Sequence, residues 1–151
     1  MPKIDLDAIP QNNRTGYPPV YAEAVEGRWV RRMTPVLSLE DFGASHVTLK
    51  PGAWSSQRHW HAEEDEFVVM LDGEAVLIDD HGRTPMRPGD MAVFPKNDGN
   101  GHHLVNESDN DCVFVAIGRT AKGDCYYPDI DMRVFAGDPA FLRKDGTQFT
   151  D

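Results

Sequence analysis

The chain predicts an all-β sandwich or barrel, and three observations carry that reading. Turn signals recur about every ten residues through its middle, as they do where short strands follow one another; they include Pro51-Gly52, Asp72-Gly73, the "DDHG" of residues 79–82 and Pro88-Gly89. The intervals between them are β-branched and aromatic runs, such as "EFVVML" and "CVFVAIG", that are too short for helices. Helical periodicity is weak throughout, and neither an internal repeat nor a low-complexity segment is present.

Residues 1–19 hold four prolines (Pro2, Pro10, Pro18 and Pro19) and little apolar periodicity, so they predict an extended arm, ordered where it packs on the domain or on a partner chain. Residues 20–151 read as one domain. "GRWVRRMTPVLSLEDFGASHVTLKPG" contains short β-leaning pieces broken by proline and glycine, with a strand from about Phe42 to the Pro51-Gly52 turn. In "EFVVMLDGEAVLIDD", two β-rich runs flank Asp72-Gly73. That dipeptide suits a type I′ turn, so a hairpin is expected. The second run stops at "DDHG". A strand follows at Met91–Phe94, and "HHLVN" and "CVFVAIG" form two more, joined by the polar "ESDND". The tail carries "YYPDIDMRVF" and "FLRKDGTQF", the second read as a hairpin around Asp145-Gly146.

A chain of 151 residues is about one domain's worth and buries a core without disulfide staples. Its net charge of −10 argues against nucleic acid as a partner, because phosphate must be met by a basic face. The one tight basic cluster is Arg28, Arg31 and Arg32. Twelve residues separate Cys112 from Cys125, which is no metal-knuckle or redox spacing; two buried thiols in a reducing compartment are expected. "MPKIDLDAIPQNN" lacks the apolar region of a secretory signal, and no run approaches the roughly 18 apolar residues of a membrane span. A cytoplasmic chain with no membrane partner is the expectation.

The chemistry concentrates in "RHWHAEEDEF". His59 and His61 are two apart, so on a strand both imidazoles share one face. Glu66 lies five further on, an offset that one regular strand sends to the opposite face. "AEED" must therefore turn, and Glu66 returns to the same cavity from a neighbouring strand, with Val68 and Met70 on its inward face. A buried carboxylate beside two imidazoles costs free energy unless compensated, and a divalent metal compensates it. Nitrogen and oxygen donors without sulfur suit Fe, Mn, Ni, Cu or Zn. A further ligand is wanted, and the adjacent pair His102 and His103 is the source left.

These residues fall into a pattern that resembles the cupin superfamily in both of its motifs. The first reads Gly52, six residues, His59-Trp60-His61, four residues, Glu66, six residues, Gly73, with one residue more than usual in the first spacer. The second reads Gly89, five residues, Pro95, then His102, three residues, Asn106; the intervening "KNDGNG" is longer than usual and Asn97 stands where the motif has glycine. The match spans about residues 44–118. The resemblance implies a jelly-roll barrel (a double-stranded β-helix), with His59, His61, Glu66 and His102 as ligands of one divalent transition metal (Fe, Mn, Ni or Zn). Up to two positions on an octahedral ion would stay open to substrate, water or dioxygen. His102 rather than His103 is expected to face the cavity, since adjacent residues on one strand point opposite ways. Leu104 and Asn106 would share its face.

The function expected is that of a metal-dependent enzyme on a small molecule, of dioxygenase, isomerase or lyase type; the alternative is a non-catalytic binding or sensor protein. No helix-turn-helix segment fits the composition, which disfavours gene regulation. The resemblance also implies a homodimer. Glu63, Glu64 and Asp65 read as a solvated acidic turn, with one of them able to accept from an imidazole N–H. His46 reads as a core or rim residue and His81 as surface. Trp54 and Trp60 read as barrel-mouth or packing residues. Tyr126, Tyr127 and Asp129 are the acid–base candidates outside the metal shell, in a tail placed to cap the mouth. Arg28, Arg31 and Arg32 read as a solvated face or as a grip on an acidic substrate.

Overall fold

The computed structural model describes residues 2–150. Thirteen strands follow in order: β1 (Gln11–Asn12), β2 (Arg28–Arg32), β3 (Gly43–Leu49), β4 (Trp60–His61), β5 (Glu66–Asp72), β6 (Ala75–Asp79), β7 (Gly82–Met86), β8 (Met91–Phe94), β9 (His103–Val105), β10 (Cys112–Gly118), β11 (Cys125–Tyr126), β12 (Arg133–Val134) and β13 (Phe141–Leu142). They build a six-stranded sheet, β1-β2-β3-β10-β5-β8, a three-stranded sheet, β7-β6-β9, and a four-stranded sheet, β13-β12-β11-β4. All their pairings are antiparallel. The fold is all-β and of the jelly-roll kind. Among the described residues, no helix is long and apolar enough to cross a membrane.

Strand alternation places the core. Val47 and Leu49 on β3, Val68 and Met70 on β5, and Cys112 and Phe114 on β10 turn inward. They meet Ala75, Met86 and Leu104 from the three-stranded sheet. A second cluster joins the tail to the N-terminal segment: Cys125, Tyr127 and Met132 pack with Tyr17, Tyr21 and Phe141. Both thiols are free and buried.

Several connections differ from expectation. Asp72-Gly73 closes no hairpin, because β5 and β6 belong to different sheets. The apolar faces on either side of the turn are satisfied by opposite layers, and tertiary burial overrides the local hairpin signal. The hairpin is β6–β7, where Asp79 pairs with Gly82 across the "DDHG" turn. Met33–Leu37 forms one helical turn, α1, instead of a β-leaning piece. Its Pro35 sits in the first turn, where the missing N–H has no helical partner to lose, and Ser38 ends it at φ 57°. The N-terminal arm packs on its own domain: β1 pairs with β2, Arg31 donates to the Ile9 carbonyl, and Ile9 is buried. The tail keeps its tight turn, with Arg143 N–H donating to Thr147 O at 2.9 Å, but β13 pairs with β12 and does not fold back on itself.

Gly73 is required by two features at once. Its φ is +68°, and a Cβ there would lie 2.8 Å from Cys112 Cα and against the Asp111 carbonyl oxygen. Gly73→Ala is therefore expected to cost about 2–4 kcal/mol, read from the urea midpoint. Gly52→Ala, also at positive φ but with open space around its Cβ, is expected to cost about 1 kcal/mol. Equal losses would show that the close approach at Gly73 is relieved by a small shift.

Candidate metal centre

His59 precedes β4 in a single bridge with His102, with His59 N–H donating to His102 O at 3.2 Å and His102 N–H to His59 O at 2.9 Å. Alternation sends the His59 and His61 rings to one side, 4.9 Å apart, while Trp60 turns away and stacks on Tyr126 at 4.4 Å. Trp60 is thus a packing residue, not part of the mouth. Glu66 arrives on β5, from the sheet facing β4 and not from a neighbouring strand as expected. Its Oε1 lies 3.5 Å from His59 Nε2, 3.1 Å from His61 Nε2 and 3.2 Å from His102 Nε2.

The other ring nitrogens define what these three Nε2 atoms present. His59 Nδ1 is 2.9 Å from the Gln57 carbonyl, and His102 Nδ1 is 3.0 Å from the Asn100 carbonyl. A carbonyl only accepts, so each Nδ1 carries a hydrogen, and the neutral form of each ring turns a lone pair toward Glu66. His61 Nδ1 lies 3.6 Å from Glu64 Oε2, and both atoms are buried without a hydrogen-bond partner. Lone pairs converging on a carboxylate oxygen repel unless a proton or a cation lies between them. The donor set therefore fits a divalent metal held by His59, His61, Glu66 and His102. Burial pushes the Glu66 carboxyl up, but the closeness of the His102, His59 and His61 rings outweighs it and holds the group well below the usual carboxylate range. Burial lowers His61, yet the Glu66 hydrogen bond and the charges of Glu66 and Glu64 leave it raised.

Cys125 lies across the sheet from His61 and comes within ligand distance of His59 and His61, a neighbour that the sequence reading missed. Burial pushes its thiol up to about 12.

The long "KNDGNG" loop leaves His102 turned to the cluster. Asn97 takes φ 59° where the motif has glycine, a conformation that asparagine tolerates, and its N–H donates to His61 O at 2.8 Å. The His102 ring stacks on Phe94 at 3.6 Å. His103 does not reach Glu66; its Nδ1 lies 2.8 Å from Ser56 O, and its ring meets the edge of Trp54. It is nonetheless buried and lines the same cavity of about 290 Å³ as His59, Glu66 and His102. The expectation that only one of the pair faces this cavity is corrected. His102 stands in an isolated bridge before β9 begins, so strict alternation does not yet apply.

A model of the cupin domain matches residues 45–118. Over 99% of this chain and 97% of the other, the structure superposes on a sugar phosphate isomerase from a cupin superfamily of Silicibacter pomeroyi, with 43% identity and a TM-score of 0.91. The chain belongs to the cupin superfamily. A structure from Acidithiobacillus ferrooxidans matches at 22% identity over 82% of this chain and 81% of that one, TM-score 0.71. A polyketide cyclase from Streptomyces resistomycificus matches at 18% over 79% of each, TM-score 0.64. These two share the fold. No curated protein matches significantly.

Other residues of this cupin separate cleanly. Glu64 is buried, unlike its exposed neighbours Glu63 and Asp65 and contrary to the solvated turn expected; Oε1 accepts from Lys122 N–H and, at 2.7 Å, from Gly123 N–H. Asn106 is fully buried and structural: its amide donates to Leu49 O and Asn110 O, and its Oδ1 accepts from Ser108. Tyr127 lies beside His59, with ring centroids 5.7 Å apart, and burial pushes its hydroxyl far above the usual range. Tyr126 is taken up by Trp60 and Arg133, and Asp129 by Arg58. His46 sits on β3, opposite Arg31 across the outer face, and His81 is exposed.

The two adjacent histidines make the site testable. His102→Ala is expected to lower the affinity for Zn or Mn at least tenfold, while His103→Ala leaves it within about twofold, both read by metal analysis after dialysis. The reverse order would remove His102 from the ligand set.

Proposed function

We propose that this cupin is a metal-dependent isomerase acting on a small polyhydroxylated carbonyl compound. The observation that carries the reading is a cavity lined by His59 and His102, both turned on Glu66, and by a further imidazole, His103, that is free of that cluster. The Silicibacter pomeroyi relative, a sugar phosphate isomerase at 43% identity over nearly the whole chain, supports the same class.

His59, His61, Glu66 and His102 would hold the metal, which supplies Lewis-acid polarisation of a bound carbonyl. His103 supplies the proton chemistry. Its Nδ1–H is committed to Ser56 O, so Nε2 is the free acceptor. Burial lowers its pKa below the ordinary imidazole value, against the opposing Ser56 hydrogen bond, and the ring is neutral at pH 7. A neutral imidazole beside the substrate can take the proton from the hydroxyl-bearing carbon next to a carbonyl and return it to the carbonyl carbon, while the hydroxyl proton passes to the carbonyl oxygen, so that the two functions exchange places. Core side chains such as Val47 and Phe114 wall the cavity. Dioxygenase and lyase chemistry fit the ligand set as well; a neutral base has no place in the first, and the Silicibacter pomeroyi relative favours the isomerase over the second.

Protein loaded in turn with Fe, Mn, Ni and Zn is expected to exchange deuterium from D2O into the carbon beside the carbonyl of pentose or hexose phosphates, followed by proton NMR. His103→Gln should keep its metal and lose about 10²–10⁴-fold in exchange. Absence of exchange with all four metals would sink the isomerase and favour a binding protein.

We also infer a homodimer. The outer face of the six-stranded sheet exposes Leu71, Met91 and Val93 (49%, 64% and 61%), with Phe42 beside them. Apolar side chains grouped on one face of a sheet mark a contact surface. Light scattering at micromolar concentration should give twice the chain mass, and Val93→Glu should shift it toward one. A single-chain mass for the unaltered protein would end this reading.

A further inference from the structure

We propose that Arg14, Arg28 and Arg32 form a subsite for a phosphate monoester, at the end of the catalytic cavity away from the imidazole–Glu66 cluster. The inference deepens the isomerase reading, on which it rests for the place of the subsite in a reaction.

Strand alternation creates the cluster. On β2, Val30 is buried in the core, so Arg28 and Arg32, two residues to either side, share its inward face, while Arg31 points out. Arg28 and Arg32 line the cavity that holds His59, Glu66, His102 and His103. They also line an adjoining cavity with Arg14, Thr15 and Tyr17 of the N-terminal segment. The arm thus brings a third guanidinium to the same opening.

These three cations lack counter-ions. Of the other seven arginines, Arg31, Arg58, Arg83, Arg87, Arg133 and Arg143 each have a carboxylate within 4.0 Å, and Arg119, which has none among the described residues, lies outside both cavities. Among the described residues, none lies that close to Arg14, Arg28 or Arg32. In a chain of net charge −10, such a gathering is not explained by a general excess of cations. Arg28 is the most enclosed: its Nη1 donates to Ser55 O at 2.8 Å, and its Nε is buried without a hydrogen-bond partner. Burial lowers its pKa, and the nearby charge of Arg32 lowers it further, so the two guanidinium groups feel each other. Like charges held together in a partly buried wall are costly until an anion joins them.

The number of guanidinium groups points to the class of anion. A carboxylate brings one charge and two oxygens. A phosphate monoester brings about −1.5 to −2 and three terminal oxygens, which suits three planar forks. The span fits as well. Arg32 pairs with Ser45, Ser45 with Ala116, and Ala116 with Val68, the inward neighbour of Glu66 on β5. Three strand steps separate the two ends by about 14 Å, of which side chains reaching in from both walls close a part. What remains accommodates a short phosphorylated chain with its carbonyl end at the imidazoles.

The test is a phosphorus NMR titration of the full-length protein with inorganic phosphate, once loaded with zinc and once stripped by a chelator. Phosphate is expected to bind in both forms. The double variant Arg14→Ala/Arg32→Ala should weaken it at least tenfold in both, and Arg83→Ala, at a remote surface pair, should leave it unchanged. Circular dichroism checks that each variant keeps its fold. Phosphate binding that disappears with the metal would place the anion on the ion and overturn the subsite. Binding indifferent to the double variant would do the same, and acetate binding as tightly as phosphate would reassign the subsite to carboxylates. Because the stripped protein is assayed, failure of the isomerase reading would leave this result standing, and the reverse also holds.

Discussion

Three imidazole nitrogens turned on one carboxylate oxygen set the terms for the rest of this molecule. The arrangement is unfavourable for the bare side chains, since neutral imidazole lone pairs and a carboxylate repel. It persists because the backbone dictates it. Gln57 O and Asn100 O hold the Nδ1 hydrogens of His59 and His102. Phe94 fixes the plane of the His102 ring, and the His59–His102 bridge locks two segments far apart in sequence into one register. Free energy from the core thus holds the three imidazoles and the carboxylate together.

Arg58 holds the frame around that centre. Its guanidinium donates to Asp129 at 2.8 Å, to Gly101 O at 3.0 Å and to Asp80. One side chain, next to His59, thereby ties the segment leading to His102 and the start of the tail. The opposing carboxylates raise its pKa further above the ordinary guanidinium value, against the cost of burial. Gly101 fits there because a Cβ would press on Pro128 at 2.8 Å and on Arg58 at 3.0 Å. The tail in turn lays Tyr127 and Cys125 along the imidazoles and closes the side of the cavity with apolar mass. Behind this frame the charge pattern divides. Arg58 and most other arginines are neutralised by carboxylates, while the inward face of β2 carries cations with no such partner.

How much of this was legible in the sequence depends on the range of the interaction involved. Strands at Met91–Phe94 and Cys112–Gly118, and the inward set Glu66, Val68 and Met70, follow from alternation and turn chemistry, which act over a few residues. Spacing alone likewise put His59 and His61 on one face. Asn97 departs from the glycine of the motif, and a left-handed asparagine fills the role. The fold brings the side chains of His59, His61 and His102 within 3.5 Å of Glu66.

What the chain by itself determined was therefore local: which residues alternate, where turns fall, and which side chains carry metal-type chemistry. Tertiary structure decided which layer each strand joins. It sent Asp72-Gly73 between sheets when its turn chemistry asked for a hairpin, and buried Glu64 in a stretch that reads as solvated. It also brought Cys125 to His61, set His103 on the cavity wall, and gathered Arg14 with Arg28 and Arg32. None of these had a sequence signal, because each depends on contacts between segments far apart along the chain. Their free energy comes from burying surface that only the assembled layers create.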